Sequence, residues 1–340
     1  MPHDFNKPTP VLKNKNILVT GGTGSFGQAF AKIILKKYLP RRLIIFSRDE
    51  FKQTEMGNVL SPYKYPALRF FIGDVRDQNR LEMAMRGVDI VVHAAALKQV
   101  AVAEYNPIEC INTNILGAEN IIEAAIRANV SKVVALSTDK AVNPVNLYGA
   151  SKLAADKLFV AANNLSGGKG TKISVVRYGN VLGSRGSVVP LFNKVKRDEV
   201  STVPITHPEM TRFWITLGQG VNFVLSSLSM MQGGEIFIPK LPSMRITDLA
   251  EALVPGVKQR IVGIRPGEKL HEVLITKEDA RNTLEFKDRY ITLPSDPMWR
   301  AGGYKYPGIR SKPVEDEFLY SSETNTQWLS RGEIIKLIKE

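Results

Sequence analysis

The chain has 340 residues, 44% of them hydrophobic, enough for a full core in one large or two closely joined domains. One cysteine, Cys110, excludes an intrachain disulfide, four dispersed histidines show no metal-ligand spacing, and apolar runs fall short of the roughly 18 residues a membrane span needs. The net charge of +13 is spread rather than clustered and lacks interleaved aromatics, so it reads as a solvated basic surface that attracts a small anion and not as a nucleic-acid site.

In chain order, the N-terminal MPHDFNKPTPVLKNKN has no signal-peptide stretch, and a cytoplasmic protein is expected. NILVT (16–20), RLIIFS (42–47), LRFFIG (68–73), DIVVHAA (89–95), KVVALST (132–138) and KISVVRY (172–178) are apolar nearly throughout, as strands of a parallel sheet covered on both faces are. Helical patterns lie between them, among them 26–39 and a long one at 109–129, and NNLSGGKG (163–170) is a turn-rich connection. The alternation predicts an α/β fold, a Rossmann-type doubly wound sheet over residues 1–180 with ligands at the carboxyl ends of its strands. From 181 to 340 short mixed segments rich in Pro and Gly dominate, with helical stretches at 247–253 and 331–340. This is a smaller region, interleaved with the first or following it, that should bind substrate.

TGGTGSFG (20–27) follows the first strand and opens the first helix. There Gly21, Gly24 and Gly27, with Thr23, Ser25 and Phe26 between and beside them, can turn the chain tightly and let backbone approach a pyrophosphate at the helix N-terminus. The second strand ends on Ser47 and Arg48 with Lys52 close behind, a hydroxyl and two cations that suit the 2′-phosphate of NADP, although Asp49 and Glu50 adjoin them. Asp74, followed by Val75, ends the third strand where a carboxylate could accept from an adenine amino group, and Ala94 belongs to a run of small residues (93–96) that lets backbone approach the nicotinamide-side ribose.

Tyr148 and Lys152 are four apart and share one face if NLYGASKLAADKLF is helical. An ammonium near a phenol favours the phenolate, which can exchange a proton with a sugar hydroxyl while hydride moves to or from a nicotinamide.

With Gly21, Gly24, Gly27, Tyr148 and Lys152 in place, the chain resembles the extended short-chain dehydrogenase/reductase superfamily. Nucleotide-sugar 4,6-dehydratases of that superfamily carry Thr-Asp-Glu at the end of the fifth strand, and here Thr138, Asp139 and Lys140 stand there. The lysine is similar to the inverting UDP-N-acetylglucosamine 4,6-dehydratases that begin pseudaminic acid synthesis, as are SFGQAF, FSRDEFKQ, FFIGDVRD, HAAALKQV, AEYNP, NLYGASK, RYGNVLGSRGSVVP, MTRFWIT and RPGEKLHE, from about residue 14 to 275. The resemblance implies that Tyr148 takes the 4-hydroxyl proton, Lys140 as a neutral amine removes the C5 proton, and Asp139 as an acid protonates the departing 6-hydroxyl. Burial would lower a lysine pKa and raise an aspartate pKa, preparing both groups at once. Return of a proton to the opposite face of C5, from Lys140, Tyr148 or water, gives UDP-2-acetamido-2,6-dideoxy-β-L-arabino-hex-4-ulose.

Asn180, Arg185, Arg212 and Arg265 are candidate pyrophosphate partners, since an arginine fork suits paired phosphate oxygens. The resemblance assigns Asn180, Arg212, Arg265 and Glu268 to the nucleotide and Lys98 to the sugar, gives His271 no role, and implies a homo-oligomer, hexameric in the soluble group, whose product goes to flagellin glycosylation. Two alternatives stand beside this reading. A UDP-sugar 4-epimerase needs Tyr148 and the cofactor but no C5 base, and a non-catalytic NADP-sensing module would keep the fold alone.

Overall fold

The computed structural model describes residues 3–167, 170–184, 187–198, 200–295 and 304–339. The six expected strands form as β1 (Asn16–Thr20), β2 (Arg42–Ser47), β3 (Leu68–Ile72), β4 (Ile90–His93), β5 (Lys132–Thr138) and β6 (Lys172–Tyr178). They lie parallel in the order β3-β2-β1-β4-β5-β6, a Rossmann-type doubly wound sheet whose order reverses direction at β1 and β4. Their unbroken hydrophobicity follows from having two covered faces. In β1, Ile17 and Val19 join the apolar cluster on one face, with Phe30, Ile34 and Phe223, while Leu18 between them joins the other, with Ile44, Phe46 and Phe159.

Past residue 180 the chain continues as β7 (Asn180–Val181), β8 (Thr202–Ile205), β9 (Thr211–Ile215), β10 (Ile236–Pro239), β11 (Ser243–Arg245), β12 (Lys258–Ile261), β13 (Val273–Ile275), β14 (Thr283–Glu285), β15 (Arg289–Thr292), β16 (Lys312–Pro313) and β17 (Tyr320–Ser321). Among the described residues, β10 pairs parallel with β6, and β15, β14 and β16 follow it antiparallel, so the main sheet has ten strands. The two sequence regions are therefore interleaved. What remains is a small lobe around Phe192, Trp214, Met244, Leu249 and Ile334, with its own apolar cluster.

The helical stretch expected as one run at 109–129 contains a π turn, Asn112–Leu116, between the helices Pro107–Ile111 and Gly117–Arg127. Asn114 gives the reason. It is 2% exposed, its Oδ1 accepts from the Leu97 backbone N–H at 2.8 Å, and its Nδ2 donates to the Leu97 carbonyl at 2.9 Å and to Ser151 Oγ at 2.9 Å. The extra residue in the turn aims this amide at the loop after β4, and such insertions gather at functional sites.

Candidate active site

The loops and strand ends at the carboxyl edge of β1 to β6 enclose a cavity of about 780 Å³. One end is built by the glycine turn. Gly21 has φ +62°, and a Cβ there would lie 2.8 Å from the Ala94 carbonyl oxygen, so the β1 and β4 loops touch only because the side chain is absent. A Cβ at Gly27 would lie 2.4 Å from the Gly22 carbonyl oxygen, which fixes the helix Ser25–Lys37 directly against the turn. That helix begins on Gly24 without a side-chain cap and has no acid in its first turn, leaving the positive end of its dipole toward the cavity. These features fit the pyrophosphate of a dinucleotide.

Gly21, Thr23, Gly24, Ser25, Phe26, Gly27, Ser47, Arg48, Lys52, Asp74, Val75 and Ala94 all line this part of the cavity. Arg48 and Lys52 are 58% and 44% exposed at the side chain and each meets an acid: Arg48 Nη1 is 3.6 Å from Asp74 Oδ2, and Lys52 Nζ is 2.5 Å from Asp49 Oδ2. Asp49 also caps the helix Glu50–Val59 by accepting from the Lys52 backbone N–H, so its carboxylate is compensated locally. Burial works against the Asp74 carboxylate, but Arg76, bonded at 2.8 Å, and then Arg48 outweigh it and keep its pKa below the ordinary value.

The far wall holds Lys98, Thr138, Asp139, Lys140, Tyr148, Lys152 and Asn180. Tyr148 and Lys152 lie on the buried face of the helix Leu147–Ala161, capped by Asn146, whose Oδ1 accepts from the Gly149 N–H. Burial pushes the Tyr148 phenol up to about 12, against the pull of the Lys140 charge. Lys152 is 4% exposed and donates to the Leu136 carbonyl at 2.8 Å; burial lowers its amine, with Asp156 drawing the other way. The expected phenolate is thus not the resting form, and the cation that draws most on the phenol is Lys140.

Asp139 is 1% exposed. Its Oδ1 accepts from the Thr138 hydroxyl at 2.9 Å and from Lys140 Nζ at 3.1 Å, while Oδ2 has no hydrogen-bond partner. Burial first, and the Glu272 charge second, raise its pKa, in the direction expected for an acid. The expectation for Lys140 is corrected. Burial does act to lower its pKa, but Asp139 and Glu272 together outweigh it and hold the amine above its ordinary value as an ammonium. Lys140 Nζ donates to Glu272 Oε1 at 2.9 Å, and a quarter of its side chain remains exposed toward the cavity.

Three expected substrate residues, Arg212, Arg265 and Glu268, are not part of the cavity wall. Arg212 is 7% exposed, and its fork donates to the carbonyls of Thr211 (2.7 Å), Leu270 (3.0 Å) and Lys269 (2.9 Å), because it closes the 269–272 turn onto β9. Arg265 is 68% exposed at the side chain and paired with Glu268 at 3.3 Å. Arg185 lies outside the described residues. His271 Nδ1 meets Thr211 Oγ1 at 2.8 Å. Sequence reasoning missed Glu272, Asn114 and Tyr178; Tyr178 lines the wall, its phenol raised by burial and then by neighbouring Tyr148. The only local signal for Glu272 was its place at the end of RPGEKLHE.

The model for the family described as polysaccharide biosynthesis protein matches residues 17–294. The chain is 54% identical over 331 residues to the UDP-N-acetylglucosamine 4,6-dehydratase (inverting) of Campylobacter jejuni, covering 96% of this chain and 98% of that one. It is 46% identical over 338 residues to a protein of Rickettsia canadensis named UDP-glucose 4-epimerase, covering 96% and 95%. Among solved structures it is similar to Pen from Bacillus thuringiensis, with a TM-score of 0.86 and 35% identity over 96% of this chain and 98% of that one.

Proposed function

Because the chain belongs to the polysaccharide biosynthesis protein family, among the inverting UDP-N-acetylglucosamine 4,6-dehydratases, we propose that it converts UDP-N-acetylglucosamine to UDP-2-acetamido-2,6-dideoxy-β-L-arabino-hex-4-ulose, as a lyase in the first step of pseudaminic acid synthesis. The observation that carries this is the Asp139–Lys140 pair on the cavity wall beside Tyr148, an acid and a potential base that simple oxidation and return at C4 would not require.

A nicotinamide dinucleotide, NADP in this reading, would lie along the glycine turn, Asp74 and Ala94, and supplies the hydride acceptor for C4 and the donor for C6. Tyr148, once its phenol has released its own proton to give the phenolate that the Lys140 charge favours, takes the proton from the 4-hydroxyl, and the C5 proton becomes acidic once C4 is a ketone. An ammonium beside a carboxylate holds as many protons as an amine beside a carboxylic acid. One proton shift along the 3.1 Å bond from Lys140 Nζ to Asp139 Oδ1 therefore produces both catalytic forms together. The raised pKa of Asp139 acts toward that shift and the raised pKa of Lys140 acts against it. Lys140 then accepts the C5 proton, and Asp139 protonates the 6-hydroxyl as it leaves as water. Asn180 at the wall and Lys98 near the sugar would orient the substrate, which we expect to reach the site in a homo-oligomer.

A UDP-sugar 4-epimerase is the second reading, favoured by the name of the Rickettsia relative. Incubation with UDP-N-acetylglucosamine in D₂O, followed by proton NMR, separates the two. A 6-deoxy-4-keto sugar with deuterium at C5 and L-arabino couplings is expected; recovery of the C4 epimer without deuterium at C5 would replace the dehydratase reading by the epimerase one.

The cofactor preference has its own test. Arg48→Ala should weaken NADP binding about 10- to 100-fold, the range of one charge-assisted hydrogen bond, and leave NAD nearly unchanged by calorimetric titration. Equal losses for both nucleotides would place Arg48 away from the 2′-phosphate.

A further inference from the structure

Glu272 is built into the site without touching the cavity. It is 1% exposed, is absent from the cavity wall, and sits next to β13, 132 residues from Lys140. Ser322 clamps its backbone on both sides: the Glu272 N–H donates to Ser322 Oγ at 2.9 Å, and its carbonyl accepts from the Ser322 N–H at 2.8 Å. Its Oε1 accepts from Lys140 Nζ at 2.9 Å and is 3.7 Å from Arg212 Nε; Oε2 is 3.8 Å from Lys269 Nζ and has no hydrogen bond. Arg212 and Lys269 are otherwise committed to backbone carbonyls, Lys269 to that of Val142. The side-chain hydrogen bond of this buried carboxylate therefore goes to Lys140.

A buried ion pair is a poor device for stability, because desolvation offsets most of the attraction and well-packed apolar residues serve as well. It is an effective device for setting the position and charge of an amine. We propose that Glu272 is a positioning residue for the reaction, holding the Lys140 amine against Asp139 at the cavity wall and setting how many protons that pair retains. Its effect on turnover rests on the dehydratase reading, whereas its hold on Lys140 does not.

The charged and titratable groups facing this cluster are Asp139 and Lys140 from the turn after β5, Tyr148 from the helix Leu147–Ala161, Arg212 from β9, and Lys269 and Glu272 from the turn before β13. The Glu272 anion favours the protonated forms of both Asp139 and Lys140. When both carry a proton, Lys140 cannot act as a base, so one proton must leave before turnover; a second loss leaves Asp139 without the proton it donates. Activity is thus bell-shaped in pH, and Glu272 places both limbs higher than Asp139 and Lys140 alone would.

The test uses Glu272→Gln, which keeps the shape and removes the charge, and Glu272→Asp, which keeps the charge. Two readouts are taken on the full-length protein: kcat/KM for UDP-N-acetylglucosamine against pH, and the rate at which Lys140 is acetylated by acetic anhydride at fixed pH without substrate, measured by peptide mass spectrometry. Glu272→Gln should move both limbs to lower pH by about one unit, the size of shift an adjacent opposite charge produces, and label Lys140 several-fold faster because more of it is neutral. Glu272→Asp should fall between wild type and Glu272→Gln. A lower rate with unmoved limbs and unchanged labelling in both variants would overturn the proposal and leave Glu272 a packing residue. If wild type leaves the sugar untouched while labelling still responds to Glu272→Gln, the hold on Lys140 stands and the dehydratase reading alone fails.

Discussion

Replacing Tyr148 by phenylalanine is expected to reduce dehydration of UDP-N-acetylglucosamine by about 10³-fold, and Lys140→Ala by a similar factor, the range in which positioned acids and bases act. The two should fail at different stages. Without the Tyr148 hydroxyl there is no acceptor for the 4-hydroxyl proton, so a single turnover should show no accumulation of reduced nicotinamide. Without the Lys140 amine, oxidation at C4 can proceed but the C5 proton stays, so reduced nicotinamide should accumulate and deuterium should not enter C5. Near-ultraviolet absorbance in a rapid-mixing experiment with stoichiometric substrate reads this directly. The same trace from both variants would mean that Asp139 and Lys140 serve C4 chemistry, as an epimerase would need. Both side chains line the cavity, Lys140 with 26% of its side chain exposed and Tyr148 at 8% exposure.

The second large effect concerns the glycine turn. Gly27→Ala should destabilise the protein by roughly 3 kcal/mol, at the upper end of what overpacking costs, because the new methyl would meet the Gly22 backbone and not a movable side-chain end. A fall in melting temperature of roughly 5 °C or more is expected, together with loss of dinucleotide binding, since the helix start and the turn can separate only by deforming the anion-binding end. Gly332→Ala is the control: it lies in the helix Arg331–Lys339 and a Cβ there meets nothing within 4 Å. A Gly27→Ala protein as stable as wild type would show that the turn relaxes easily.

Much of the sheet and the cofactor end was legible because the forces that set them are local. Six strands read as apolar because neighbouring residues such as Ile17 and Leu18 face different cores, and a glycine turn between a strand and a helix has few other uses. Tyr148 and Lys152 share a face because four residues make about one helical turn. The remainder depended on long-range placement. That β10 and β15 extend the main sheet is invisible in Ile236–Pro239 and Arg289–Thr292, which read as short segments of a second region. Arginines 212 and 265 look alike in sequence, yet one is buried on carbonyls and the other stands at the surface. The charge on Lys140 was misread for the same reason: desolvation can be inferred from a site's expected dryness, but a second carboxylate from 132 residues away cannot.

That same contact orders events during synthesis. By the time residue 180 has left the ribosome the glycine turn, Tyr148 and the β5 turn are all present, but β10, which flanks β6, and Glu272, which faces Lys140, are still to come. A nascent chain of that length holds the residues of the nucleotide cradle but not the carboxylate that fixes the charge of Lys140, so the proton-handling end of the site is completed later than the cradle.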